Sequence, residues 1–382
     1  MKRALKIISG LIAVILLFVG GAIASLVLSA PTTSVPVGVL QIEAPDPEGK
    51  PIPVTLFYPT SDKPRLIWAG TSFLRVAPKG VIAAGQHPLV VISHGTGGAP
   101  TSHVDTALAL AEAGYVVAAP IHNGDNFQNE STVGTTEWIV DRARELARVN
   151  DFLLIEWKDR TSLDPQRIGV FGFSAGGTTT LVTIGGIPDF ARISSHCATD
   201  PEFVCQLMRQ DLRTPAASEW VHDPRVKAAV VVAPGLAFTF EPNGLSSVRS
   251  HVQLWQGNAD TFVPPTNADI VRRLLPGSPE FHLVESAGHT SFLPPCNMVT
   301  AALLPKRLCV DPAGFDRRAF HKEFNASVVS FFNRNLSAGV QQSGAPAQNV
   351  TRDTSSTTDE PRDAAVGTAN ARPPIQLHHQ GV

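Results

Sequence analysis

The chain of 382 residues has few cysteines, little net charge and no internal repeat. Its four cysteines form no C-x-x-C pair, and no histidine cluster lies around them, so the sequence offers no zinc-binding pattern. The formal net charge is −2, which argues against a broad surface for polyanions and makes nucleic acid an unexpected partner. The 43% hydrophobic content is ample for one large core.

The first 30 residues form a targeting segment. A short basic stretch at residues 1–6 precedes residues 7–28, which carry no charge. A cleaved signal peptide would use the A-x-A site at residues 22–24, whereas an uncleaved anchor would use the whole apolar run. Both alternatives place the rest of the chain outside the cytoplasm, in a periplasmic or extracellular location, because the basic side stays in. The segment predicts export, with cleavage and membrane anchoring both open.

Buried strands alternate with helices along the rest of the chain. We expect an antiparallel pair of strands at a sheet edge (37–42 and 53–58), an irregular stretch (60–86), further strands (88–93, 115–120, 168–173, 226–232, 252–255 and 281–284) and helices (102–113, 137–157 and 315–336). Almost wholly apolar strands are typical of a sheet that is covered on both faces. The fold class is therefore α/β, with a doubly wound, mostly parallel sheet.

The sequence pattern also predicts the domain organisation. Residues 37–336 form one domain, and an insertion at about 186–223 is a candidate cap over the carboxyl ends of the strands. Residues 337–382 are rich in small and polar residues, so we expect a disordered tail.

The motif G-x-S-x-G occurs at residues 172–176, directly after a predicted strand and before a predicted helix. This context is the one in which the motif presents a nucleophilic serine at a strained turn. Ser174 is therefore the candidate nucleophile. The motif alone is weak, and its simplest reading is a glycine-rich turn after a core strand, so a base and an acid must follow elsewhere.

Two later strands end in suitable side chains. Asp260 follows the strand at 252–255, and His289 follows the strand at 281–284. The order Ser174, Asp260, His289 is the order that this strand–turn–helix arrangement requires for a triad. Glu285 and Asp125 are weaker rivals to Asp260 as the acid.

The remaining candidates surround the nucleophile. The backbone N–H groups of Ala175 and Thr96 are the predicted oxyanion hole. His94 is expected to brace its loop and His122 to lie at a strand end, and both are possible pocket residues. No metal or cofactor is implied. The cysteines suggest two local disulfides, formed by residues that are close in sequence, with four buried thiols as the alternative: Cys197, Cys205, Cys296 and Cys309.

Residues 37–336 resemble bacterial α/β-hydrolases of the dienelactone hydrolase and platelet-activating factor acetylhydrolase-like group. The resemblance rests on the segments PVTLFYP (53–59), VVISHG (90–95), GFSAGG (172–177), GNAD (257–260) and AGHTSF (287–292). It implies an α/β-hydrolase fold and a serine esterase that acts on carboxylic esters of small molecules or lipids. Dienelactone hydrolases proper use a cysteine nucleophile, from which Ser174 departs.

The sequence is compatible with three functional hypotheses. The first is an exported serine carboxylesterase that works through an acyl-enzyme. The second uses the same triad as a phospholipase, acetylhydrolase, amidase or peptidase, because the pocket rather than the triad decides the substrate. The third is a non-catalytic surface binding protein that kept a hydrolase fold, which the intact triad disfavours.

Overall fold

The computed structural model describes residues 2–210 and 212–337, with side chains from residue 6 onward. The predicted disordered tail lies outside the described residues, apart from Ser337. The described chain holds eight α-helices, which are α1 (Lys2–Leu28), α2 (Val104–Glu112), α3 (Glu137–Asp151), α4 (Ala175–Thr183), α5 (Arg192–Thr199), α6 (Pro265–Leu274), α7 (Met298–Leu303) and α8 (Arg317–Asn335).

One sheet runs through the described residues. Its ten strands are β1 (Val37–Ala44), β2 (Ile52–Pro59), β3 (Arg65–Ala69), β4 (Ser72–Pro78), β5 (His87–Ser93), β6 (Val116–Pro120), β7 (Leu163–Phe173), β8 (Val226–Val232), β9 (His251–Gly257) and β10 (Glu280–Val284). They lie in the order β10-β9-β8-β7-β5-β6-β2-β1-β4-β3. The strands from β5 to β10 run parallel, and β2 pairs antiparallel with β6. The predicted α/β class and mostly parallel sheet are confirmed.

Alternate residues of the central strands enter two different cores. Leu89 and Val91 of β5 pack with α3 and α6 on one face, whereas Val90 and Ile92 pack with α2 and α8 on the other. A strand that is covered on both faces needs apolar side chains at every position, because successive side chains point in opposite directions. This explains the continuous apolar runs and places every loop at the carboxyl ends of the strands on one rim of the sheet.

Three details of the predicted fold are wrong. Residues 60–86 are not irregular, because they contain the β3–β4 hairpin, which turns at Gly70 with φ of 73°. The pair β1 and β2 is not at the sheet edge, because β4 continues the sheet beyond β1. The helix predicted at 137–157 ends at Asp151, and a π-helical turn at Phe152–Glu156 completes that segment.

The insertion at 186–223 packs against the helices near Ser174. It contains α5 and several short turns, and its buried residues Phe190, Ile193 and Trp220 contact apolar side chains of α3 and α4. Its role as a cap stays a prediction.

The N-terminal helix α1 stands largely outside this packing. Its segment Lys6–Leu28 is long and apolar enough to cross a membrane, a test that a signal sequence near the N-terminus also passes. Only the end of α1 meets the domain: Leu26 and the following Ala30 are buried, and α1 contacts β4 and α7.

Candidate active site

The turn after β7 places Ser174 in a strained backbone conformation. Ser174 has φ of 57° and ψ of −120°, a region that residues other than glycine rarely adopt. Its N–H donates to the Val232 carbonyl at 2.9 Å, which ties the turn to the neighbouring strand β8. Strain of this kind persists only where the surroundings fix it, and it is frequent at functional sites.

Two glycines allow this turn to form. A Cβ on Gly172 would lie 2.0 Å from the Gly176 carbonyl oxygen, and a Cβ on Gly176 would lie 2.0 Å from the Ser93 carbonyl oxygen. Such distances are impossible for real atoms, so β7 and α4 can approach each other and β5 only with glycine at both positions.

Ser174, His289 and Asp260 form a continuous hydrogen-bonded chain. The Ser174 Oγ lies 2.9 Å from His289 Nε2, and His289 Nδ1 lies 2.8 Å from Asp260 Oδ2. The three residues follow β7, β10 and β9, whose carboxyl ends lie at one rim of the sheet. The geometry therefore brings together the three residues that the sequence selects as nucleophile, base and acid.

The carboxylate of Asp260 is buried and held by the turn that follows it. Asp260 Oδ1 accepts hydrogen bonds from the N–H groups of Phe262 and Val263, each at 2.9 Å, and Gln256 Nε2 donates to Oδ2 at 3.3 Å. The side chain is 0% exposed. These donors replace water around the charge and fix the oxygen that faces His289.

Two phenyl rings contact the imidazole of His289. The ring of Phe173 lies 4.7 Å from it between centroids, and the ring of Phe262 stacks on it at 5.8 Å. Phe173 directly precedes Ser174 in the sequence, and Phe262 lies two positions after Asp260. Sequence reasoning missed them, although an aromatic residue beside each of two triad residues was the available signal.

The two predicted oxyanion donors come from two different segments near the serine. Ala175 begins α4, and Thr96 lies in the loop after β5. This loop passes close to the serine, because a Cβ built on Gly95 would lie 3.3 Å from the Ser174 Cβ. Within the described residues, neither backbone N–H donates a hydrogen bond to another group of the chain. Both N–H groups are therefore free to bind a ligand, and the helix N-terminus favours a negative charge there.

His94 and His122 do not line an open pocket. Both are buried, with their rings 5.0 Å apart, and His122 Nδ1 lies 2.7 Å from Glu145 Oε2. Burial is the main cause that lowers the pKa of His94 to about 4 and the pKa of His122 well below its ordinary value. The bracing role expected for His94 agrees with this position, whereas burial argues against the expectation that either residue contacts substrate.

A buried ion pair supports the loop that carries Thr96. Arg142 of α3 binds Asp125 and the His94 carbonyl, and Asp125 Oδ1 accepts from the Gly97 N–H at 2.7 Å. Trp138 Nε1 also donates to Asp125, at 2.6 Å. Asp125 is therefore committed to this network, and Glu285 bonds Asn258 instead, so neither rival acid contacts His289. Sequence reasoning missed Arg142 and Glu145, whose signal was a pair of charged residues on the apolar face of α3.

The four cysteines pair locally. Cys197 joins Cys205 inside the insertion, and Cys296 joins Cys309 in the loop after His289, with Cα atoms 5.5 and 5.6 Å apart.

The disulfide between Cys197 and Cys205 adjoins a cavity of about 550 Å³ that Phe203, Gln206 and Phe262 help to line. The insertion thus reaches the triad through Phe203, whose ring lies 4.8 Å from that of Phe262. Residues 2–210 and 212–337 contain no group of three side chains placed to bind a metal ion.

Comparison with known proteins agrees with this architecture. Residues 74–233 match the model of the dienelactone hydrolase family. The chain has an α/β-hydrolase fold and is similar, over this segment, to the dienelactone hydrolases. The matched segment extends from β4 to β8 and includes Ser174, whereas Asp260 and His289 lie after it. The similarity indicates a hydrolase. No curated protein matches the chain.

A solved structure shares the fold at low sequence identity. The ferulic acid esterase from Streptomyces cinnamoneus is 21% identical, with a TM-score of 0.58 over 86% of this chain and 96% of that one. A puromycin-hydrolyzing peptidase from Mycobacterium tuberculosis is 15% identical, with a TM-score of 0.47 over 78% of this chain and 39% of that one. The first shows the common fold, and the second carries no further conclusion.

Proposed function

We propose that this hydrolase is an exported serine esterase that cleaves carboxylic esters through an acyl-enzyme on Ser174. The observation that carries the proposal is the hydrogen-bonded chain from Ser174 Oγ through His289 to Asp260, with distances of 2.9 and 2.8 Å. A serine hydroxyl is a weak nucleophile until an adjacent base accepts its proton, and this arrangement supplies such a base.

In the proposed reaction, His289 Nε2 takes the proton of Ser174 as Oγ attacks the ester carbonyl carbon. The negative charge that develops on the carbonyl oxygen is stabilised by the N–H groups of Ala175 and Thr96. His289 then gives the proton to the departing alkoxide, which leaves as an alcohol. Water, activated by His289, releases the acid and restores the free hydroxyl of Ser174. Asp260 orients the imidazole and stabilises its positive charge.

The export part of the proposal has separate support. Disulfides persist in oxidising compartments, and the described chain contains two. The basic residues Lys2, Arg3 and Lys6 at the start of α1 support a catalytic domain outside the cytoplasm. We propose that α1 remains attached as an anchor, because its end packs against β4 and α7. Intact-mass analysis of protein from isolated membranes tests this: retention of residues 1–24 supports the anchor, and their absence contradicts it.

The enzymatic part is tested with a p-nitrophenyl ester series from acetate to palmitate. Purified wild-type chain should turn over at least one member, and Ser174→Ala should lose that turnover while keeping its thermal unfolding transition. Parallel rates on matched amide and phospholipid substrates rank the three substrate classes. A folded wild-type chain that hydrolyses none of them contradicts the proposal.

A further inference from the structure

One surface beside α1 combines exposed apolar side chains with positive charge. It consists of residues 63–80, which contain the β3–β4 hairpin, and residues 293–310, which contain α7. We term these two segments the basic apolar face. They are far apart in sequence and meet only because the fold brings the hairpin tip to the start of α7.

The contact between the two segments is built from side-chain hydrogen bonds. Asn297 Nδ2 donates to the Thr71 carbonyl at 3.1 Å and to Ser72 Oγ at 2.7 Å, and Thr300 Oγ1 donates to Thr71 Oγ1 at 3.1 Å. The disulfide Cys296–Cys309 closes the second segment. The face is therefore held together, although its outer side chains are exposed.

The apolar part of the face is concentrated. After α1, twelve large apolar side chains of the described chain are exposed, and these short segments hold five of them: Trp68 (50%), Met298 (47%), Leu303 (68%), Leu304 (38%) and Val310 (65%). Single exposed apolar residues are ordinary, but a cluster marks an interaction site.

The two segments of the face also differ from the whole chain in charge. The whole chain has 31 basic and 33 acidic residues, yet residues 63–80 and 293–310 contain no carboxylate and six cations, which are Lys63, Arg65, Arg75, Lys79, Lys306 and Arg307. A partner that covers this face must accept apolar side chains and offer negative charge. The interfacial region of an anionic lipid bilayer has both properties.

The position of α1 identifies which bilayer this is. Its end is buried in the domain at Leu26 and Ala30, and α1 contacts both β4 and α7. When a helix spans a membrane, the elements that touch its outer end lie at the level of the membrane surface. The same two elements belong to the basic apolar face.

We propose that the basic apolar face docks on the anionic lipid surface of the membrane that α1 spans. This inference rests on the anchor in the proposed function, and it is independent of the chemistry at Ser174. The face is connected to the triad region, since Thr290 Oγ1, beside His289, donates to the Arg307 carbonyl at 2.8 Å. Docking therefore holds the candidate active site next to the lipid surface instead of leaving it on a free tether.

Quenching of tryptophan fluorescence by brominated lipid tests the proposal, because bromine quenches only at short range. Trp68 is half exposed, whereas the other four tryptophans are 2–6% exposed. The full chain is reconstituted into vesicles of anionic phosphatidylglycerol and phosphatidylcholine brominated near the headgroup, and flotation measures its association. We expect quenching in the wild type and its loss in Trp68→Phe.

Two further variants in the Trp68→Phe background provide a matched pair. Leu303→Trp lies on the face, and Leu283→Trp lies on β10, at the opposite edge of the sheet from β3. Both positions are exposed, at 68% and 48%. We expect quenching of the first and none of the second. Circular dichroism of each variant, compared with the parent, identifies those that are folded.

The outcomes separate docking from anchoring. Flotation with no Trp68-dependent quenching, or with equal quenching of Leu303→Trp and Leu283→Trp, overturns the docking face and leaves the anchor. Failure of the full chain to float overturns both, without bearing on esterase activity. Each basic residue near an anionic surface changes partitioning by about fivefold, so vesicles without phosphatidylglycerol should quench less. Equal quenching in the two vesicle types overturns the electrostatic part of the proposal.

Discussion

The described chain contains two Ser–His–carboxylate arrays of nearly the same dimensions. In the first, Ser174 Oγ lies 2.9 Å from His289 Nε2, and Nδ1 lies 2.8 Å from Asp260. In the second, Ser93 Oγ lies 2.9 Å from His122 Nε2, and Nδ1 lies 2.7 Å from Glu145. Their hydrogen-bond lengths do not distinguish them, so the difference in their expected chemistry must come from their surroundings.

The surroundings differ in access and in charge. Ser93, His122 and Glu145 are buried, and Arg142 Nη2 donates to Ser93 Oγ at 3.2 Å. Burial, followed by the positive charge of Arg142, lowers the pKa of His122 far enough to make it a poor base. The side chain of His289 is 10% exposed. A nucleophile needs a base that can accept a proton and space for a carbonyl group, and the surroundings of the second array disfavour both.

The largest expected contrast is between the two serines. Ser174→Ala should lower kcat/KM for a p-nitrophenyl ester by about 10⁴-fold or more, because the attacking atom is lost. Ser93→Ala should leave kcat/KM within about threefold of wild type, because that hydroxyl serves only packing and hydrogen bonding. Steady-state kinetics of the two variants measure the contrast. Equal losses in both would mean that the buried array takes part in catalysis.

Loss of the carboxylate should likewise lower activity more in the first array than in the second. Asp260→Asn should lower kcat by about 10⁴-fold, because an amide both lacks the charge and favours the wrong tautomer of His289. Glu145→Gln should keep most of the activity, since its carboxyl contacts His122 and the Asn123 N–H group rather than His289. Single-turnover rates of the two variants, with circular dichroism as the folding control, decide the point. A Glu145→Gln variant as inactive as Asp260→Asn would contradict the assignment.

The buried array and its neighbour Arg142 should matter more for stability than for catalysis. Arg142→Met leaves Asp125 as an unpaired buried charge and should lower the free energy of unfolding by about 3–5 kcal/mol. Arg148, which is partly exposed and pairs with Asp151 and Glu156, is the matched control. Its change to methionine should cost about 1 kcal/mol or less. Urea unfolding curves measure both, and similar costs for the two variants would contradict a structural role for Arg142.

The smallest expected effect concerns pH. Burial raises the pKa of Glu145 from its ordinary 4.5 to about 8. Between those values the folded state holds a proton that the unfolded state has lost, so this group makes stability fall as pH rises. Glu145→Gln removes that dependence, because an amide does not ionise.

Thermal unfolding of wild type and Glu145→Gln at pH 5 and pH 8 tests this sign. The melting temperature of the variant relative to wild type should rise by about 2–5 °C from the lower pH to the higher. His122 Nδ1 lies 2.7 Å from Glu145 Oε2, so the comparison reports on this pair. A relative melting temperature that falls over the same interval would show that Glu145 is ionised in the folded state.

Some parts of the fold and of the candidate site could be predicted from the sequence, and others could not. The strands β5 and β6 contain continuous apolar runs, and Ser174, Asp260 and His289 each follow a strand, so pattern and order sufficed to select them. Their catalytic roles remain a prediction. The β3–β4 hairpin was missed because its strands are short, and because its place in the sheet depends on a long-range pairing with β1.

The buried array was missed for a different reason. Arg142 and Glu145 read as ordinary surface charges of an amphipathic helix, although they fall on the same helical face as Trp138 and Val149. A charge on an apolar face signals a buried partner, but the partners Asp125 and His122 come from another loop, which sequence spacing alone cannot place.

The most direct test of the central claim is labelling with a fluorophosphonate, which reacts with activated serines. Wild type, Ser174→Ala and Ser93→Ala are treated in parallel, and the modified peptide is located by mass spectrometry. We expect one label, on Ser174, in the wild type and in Ser93→Ala, and none in Ser174→Ala. Labelling of Ser93, or of folded Ser174→Ala at the wild-type rate, would contradict it.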